Sequence, residues 1–111
     1  MKKMEIIRKI ESWMKKNDLL GTVRMYFNNK CWCWYDGKKK LIEEIKGSEY
    51  FEYANDDTIS ISFEGPFYNV MNYGYDNKVW DGLQGEFDKL LDGFDCWYEL
   101  GNAWNLSIYE R

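Results

Sequence analysis

The chain has 111 residues, room for a single domain spanning 1–111 and no second one. Its 45% hydrophobic and 31% charged residues exclude a disordered chain. No apolar run reaches the roughly 18 residues of a membrane helix and no signal sequence follows the opening lysines, so a cytoplasmic protein away from the membrane is expected. The net charge of −4 argues against a nucleic-acid backbone as direct ligand, because that affinity comes largely from Lys and Arg.

The first expected element is a helix over residues 3–17. Ile6, Ile7, Ile10, Trp13 and Met14 recur at helical spacing, whereas Arg8, Lys9, Lys15 and Lys16 lie off that stripe. Glu5 to Lys9 and Glu11 to Lys15 are well-oriented i,i+4 pairs, which favours a solvated outer face over a membrane-binding one. Strands are expected at 22–27 and 31–35, joined by a turn at Asn28-Asn29-Lys30. Asp36-Gly37 is a strong hairpin signal, while Leu41, Ile42 and Ile45 leave 38–46 open between a returning strand and a helical turn. Residues 49–54 and 58–63 flank Asn55-Asp56-Asp57 and read as a second hairpin, in which Ile59, Ile61 and Phe63 alternate with Thr58, Ser60 and Ser62.

Pro66 suits the first position of a short helix over 66–73, with Phe67, Val70 and Met71 on one side. A third helix is expected over 78–92, where Trp80, Leu83, Phe87, Leu90 and Leu91 keep helical spacing and Gly93 ends the run. The chain closes on a hairpin with Gly101-Asn102 as a type II′ loop, which pairs Leu100 with Ala103 and Tyr98 with Asn105. That register sets Trp97, Trp104, Leu106 and Ile108 on one face and Tyr98, Ala103, Asn105, Ser107 and Tyr109 on the other. Strands, helices and a closing hairpin without βαβ alternation indicate an α+β fold. Its antiparallel sheet of about five to six strands packs against two main helices plus a short third.

Several chemistries are disfavoured. The chain has no His, which removes the commonest general base and most zinc sites. Cys31, Cys33 and Cys96 are an odd set without a fourth ligand, so they read as reduced structural thiols, and no metal or cofactor is expected. The pairs Glu43-Glu44 and Asp56-Asp57 point apart or into solvent. Glu99 lies between Trp97 and Trp104 in the expected register and is the one carboxylate suited to an acid role, although an open sheet edge is the weightier reading. No catalytic residue is assigned, and no phosphate-binding glycine motif occurs.

Two surfaces remain. Residues 1–47 carry 12 Lys and Arg against 6 Asp and Glu, a balance of +6, whereas residues 48–111 carry 3 against 13, a balance of −10. Either the halves neutralise each other or the acidic one meets a basic partner. Asp81, Glu86, Asp88 and Asp92 are expected to line the outside of the third helix as a partner-binding acidic face. Tyr26, Tyr98 and Tyr109 are expected on an aromatic sheet face that serves partner binding or homodimer formation.

The expected function is non-catalytic protein binding, with a basic partner such as a nucleic-acid-binding enzyme. Small acidic domains without motifs are typical of stoichiometric inhibitors, such as toxin-immunity proteins and the anti-CRISPR proteins of phages and mobile elements. That analogy rests on size and charge alone. A small-ligand or carbohydrate binder using exposed aromatics, and a minor enzyme with a carboxylate acid, are the alternatives.

Overall fold

The computed structural model describes residues 3–35, 37–73 and 82–111. The apolar stripe at the start of the chain winds as α1 (Lys3–Lys16), burying Ile6, Ile7, Ile10 and Met14. Asp18 at φ 56° ends it, and the Leu19 N–H reaches back to the Met14 carbonyl at 2.8 Å, a Schellman-type stop. Then come β1 (Arg24–Phe27), β2 (Lys30–Tyr35) and β3 (Lys38–Glu43) as a meander. The β1–β2 turn needs two left-handed residues, and Asn28 and Asn29 supply them at φ 55° and 60°. Across the second turn Tyr35 pairs with Lys38, with Gly37 at φ 75°, so the open segment after residue 37 returns as a strand.

The chain then crosses one face of the sheet through a 3₁₀ turn at Gly47–Glu49 before entering the short β4 (Ser60–Ser62). Helices α2 (Pro66–Tyr73) and α3 (Leu83–Asp92) follow, and β5 (Cys96–Asn102) and β6 (Asn105–Glu110) close the fold. The strand order is β3-β2-β1-β4-β6-β5, antiparallel throughout. Three helices with a six-stranded antiparallel sheet make this an α+β domain among the described residues, as the element pattern indicates.

The helices cover what we call the inner face. Met25, Trp32, Ile61, Leu106 and Ile108 meet Ile6, Ile10, Val70, Phe87 and Leu91 there in one continuous core. Its centre is aromatic. The Phe67 ring lies edge-on to Phe63 at 4.8 Å and to Phe87 at 5.2 Å, and Trp13 of α1 meets both Phe67 and Phe87. One ring from α2 therefore ties the other two helices to the sheet.

Three expectations give way. Residues 49–54 form no strand. Both edges of β4 are taken by β1 and β6, so a seventh strand has no edge to join there, and the segment spends its apolar side chains on covering the sheet instead. The closing turn is Ala103-Trp104, because Asn102 pairs with Asn105. The Asn102 Oδ1 accepts the Trp104 N–H at 2.9 Å and an Asn105 Nδ2–H at 2.8 Å, a side-chain-closed turn that displaces the Gly101-Asn102 loop. A bulge between Leu100 and Asn102 absorbs the extra residue. In consequence Tyr98 stands opposite Ile108 on the inner face, and Trp104 goes to the outer cluster, the reverse of the expected sides. Finally, α3 is described from Leu83, and the expected helical residues 78–81 lie outside the described residues.

The ring cluster makes a ranked prediction. Phe67→Ala should cost about 3–5 kcal/mol in a urea titration, as expected for a buried ring with neighbours on all sides. Phe51→Ala, on the outer face where water can fill the gap, should cost about 2 kcal/mol and leave Tyr26 open to solvent quenchers. A larger loss at Phe51 than at Phe67 would contradict this account of the core.

Candidate functional site

The outer face of the sheet is built from the residues of opposite parity: Arg24 and Tyr26 on β1, Cys31 and Cys33 on β2, Ser60 and Ser62 on β4, Ser107 and Tyr109 on β6, and Trp97 and Glu99 on β5. Its centre is polar: the Ser60 and Ser107 hydroxyls bond each other at 2.7 Å while buried, and the Asn105 Oδ1 opposite Ser62 is buried without a partner among the described residues. The crossing segment covers part of this face. Phe51 sits edge-on to Tyr26 at 5.6 Å and to Trp104 at 5.7 Å, and Tyr50 stacks on Tyr26 at 6.2 Å. Tyr53 lies over the end of β5, where any side chain on Gly101 would run into the Tyr53 Cβ.

Beside this aromatic cover opens a cleft of about 460 Å³, with Tyr26, Tyr50, Phe51 and Trp104 among its walls and Arg24 and Glu64 as its charged residues. Arg24 stands opposite Ser62 in the β1–β4 register, and Glu64 lies two residues beyond Ser62. The nearby Tyr26 hydroxyl raises the Arg24 pKa further, which keeps the guanidinium cationic. Desolvation holds the Tyr26 phenol protonated, with Cys31 adding to the effect. Burial, with Cys33 adding to it, pushes the Cys31 thiol up to about 11.

A second groove of about 460 Å³ separates α1 from α3, with Trp13 and Leu90 at its floor and Lys9, Lys16, Lys89 and Glu86 around it. The Trp13 Nε1–H donates to Glu86 at 3.2 Å.

The structure disperses the expected sites. Glu86 faces α1 through Trp13, whereas Asp88 and Asp92 sit one turn apart on another side of α3. Asp92 is ion-paired with Arg111. The Asp88 carboxyl is raised by desolvation and by Asp92, and a hydrogen bond from Tyr98 opposes this. Asp81 lies outside the described residues. Among the described members of the face, Asp88 and Asp92 remain together, partly compensated by Arg111. Of the aromatic set, Tyr26 is buried under Phe51, and Tyr98 packs on Phe87 at 5.3 Å among the helices. Tyr109 alone keeps to the outer sheet face away from the loop, where it meets Trp97 at 5.6 Å. Glu99 is exposed opposite Ser107. Cys96 is on the inner face, with three strands between β5 and the strand carrying Cys31 and Cys33, so the thiols do not converge. Both ion pairs among the described residues, Lys39–Glu11 and Arg111–Asp92, join residues of the same half of the chain, so the opposed halves do not bridge through them.

Sequence reasoning allowed a second core layer under loops on this face, but did not assign residues 49–54 to it or foresee the cleft beside it. The one signal was the density of Tyr50, Phe51 and Tyr53 in a segment that has no edge to pair with. The chain matches no known family model, and no curated protein or solved structure is significantly similar to it.

The thiols provide a pH test. The Cys31 pKa is raised from 9.0 to about 11, so the stability this contributes is present below pH 9.0 and is lost as the pH rises through about 11. The urea midpoint should fall across that window and fall less in Cys31→Ala, with Tyr26 accounting for part of the remaining slope. In the native protein Cys33, half-buried, should alkylate before Cys31. Equal slopes in the two proteins would remove Cys31 as a source of the alkaline loss.

Proposed function

We propose that this chain is a non-catalytic protein-binding module and that the uncovered part of its outer face receives a partner with a basic surface. The observation that carries the reading is a row of open aromatic rings set among carboxylates. Tyr50, Tyr53 and Trp97 are 56%, 63% and 36% exposed, against 4% for Tyr26 beneath the cover. The crossing segment that bears the two tyrosines carries Glu44, Glu49, Glu52, Asp56 and Asp57 against Lys46 alone. Glu99 adds a further exposed carboxylate between Trp97 and the Tyr53 end of β5. Large rings with a polar tip are enriched where protein surfaces meet, and carboxylates around them speed encounter with a basic partner.

Among the described residues the candidate groups do not converge, which favours binding over catalysis: the Cys31 thiol stays protonated and Glu99 stands apart in solvent. Size and charge support the narrower reading of a cytoplasmic stoichiometric inhibitor, of the toxin-immunity or anti-CRISPR kind. Its carboxylates would occupy phosphate positions on a nucleic-acid-binding enzyme. Among the described residues no helix is long and apolar enough to cross a membrane.

The test is affinity capture with the wild type and with a Tyr53→Lys, Trp97→Lys double variant, at roughly 0.05 M and 0.5 M salt. A basic protein should be retained by the wild type at low salt and lost both at high salt and from the variant, whose melting curve should stay nearly unchanged because both sites are open. Retention of the same protein by the variant at high salt would place the binding surface elsewhere.

A further inference from the structure

The cleft beside the aromatic cover has a composition that the protein-binding reading does not use. Its volume of about 460 Å³ falls in the range of small-molecule sites, roughly 300–1,000 Å³. Tyr50, Phe51 and Trp104 offer flat apolar walls, and the Ser62 side of the cleft offers a hydroxyl. Arg24 is exposed at this cleft, and none of the described carboxylates forms an ion pair with it. The charge neighbours that act on it are Tyr26, Cys31 and Cys33. Tyr26 and Cys31 hold their protons through neutral pH, so the guanidinium faces no nearby anion from them. An exposed guanidinium at the cleft presents N–H donors in the fork geometry that matches a carboxylate.

Glu64 limits the charge of what can enter. It lines the same cleft, two residues past the position opposite Arg24, so a dianion such as a phosphate monoester meets repulsion that a monoanion avoids by turning its charged end to Arg24. The rings set the other requirement, since a flat ligand gains stacking and apolar burial that an aliphatic acid of the same charge does not.

We propose that this cleft binds a small ring-bearing monocarboxylate, its ring among Tyr50, Phe51 and Trp104 and its carboxylate on Arg24. The cleft shares Tyr50 with the proposed partner surface but includes neither Tyr53 nor Trp97 in its lining.

Indole-3-acetate is a suitable probe and indole-3-acetamide its uncharged control, with binding read from the side-chain N–H signals of Arg24 and the tryptophans in two-dimensional NMR. The acid should bind with a Kd on the order of 1 mM or tighter, and the amide about tenfold more weakly. The shifts should centre on Trp104 and Arg24 and spare Trp13, which lies in the other groove. Arg24→Gln should bring the acid down to the affinity of the amide, and Arg24→Lys should recover part of the difference. The Tyr53→Lys, Trp97→Lys protein should bind the acid as the wild type does, which keeps a failure here distinct from a failure of the protein-binding reading. Equal affinity of acid and amide for the wild type, shifts centred on Trp13, or no saturable binding would each overturn the assignment.

Discussion

Phe51 seated on Tyr26 is the contact on which the two-layered character of this domain turns. An antiparallel sheet with helices on one side normally leaves its other side to water, in clean alternation with the core. Here the central strand β1 is apolar on both faces: Met25 points to the helices and Tyr26 away from them, and both are buried. Something must cover Tyr26, since a large ring left open forfeits about 1.5–3 kcal/mol of burial. The segment between β3 and β4 does so with Phe51, Tyr50 and Ile45, and in crossing the sheet it raises the wall of a cleft and carries its carboxylates over the outer face.

The same cover explains the closing hairpin. Tyr53 rests where β5 passes Gly101, and the bulge there lets the backbone approach closely without a side chain in the way. The bulge turns Tyr98 inward to Phe87, while the Asn102-closed turn brings Trp104 out to Phe51. The Tyr98 hydroxyl then accepts a hydrogen bond from the Gln84 Nε2–H at 3.3 Å, so a polar tip that an interface would otherwise use is engaged inside the fold. The open aromatic surface shifts in consequence to Tyr50, Tyr53 and Trp97, residues whose neighbours are acidic.

Charge follows the same logic of local settlement. Lys39 with Glu11 and Arg111 with Asp92 settle within their own halves, and Glu86 takes the Trp13 indole N–H beside Lys9 and Lys16. Exposed pairs of this kind add little stability, in the range of about 0–1 kcal/mol, so the distribution bears on encounter with partners more than on the fold. Arg24 lies in neither ion pair and shares its cleft with Glu64.

By itself the sequence determined whatever depends on neighbours within a turn or two. The stripe of α1, Pro66 opening α2, the Asn28-Asn29 turn and the alternation of Ile59, Ile61 and Phe63 all stand where their spacing puts them, because periodicity and backbone preference are local properties. The α+β class follows from those elements. Tertiary structure decided what depends on which edges were already occupied: that 49–54 covers the sheet without joining it, that Asn102 closes the last turn, and that Tyr98 and Tyr109 part company. It also decided the candidate sites, since Arg24, Glu64 and Trp104 become neighbours of one cleft only after strands far apart in the chain have paired and the crossing loop has found Tyr26. A strand's period says which residues share a face, but a single bulge reverses it, and only long-range pairing shows where the bulge falls.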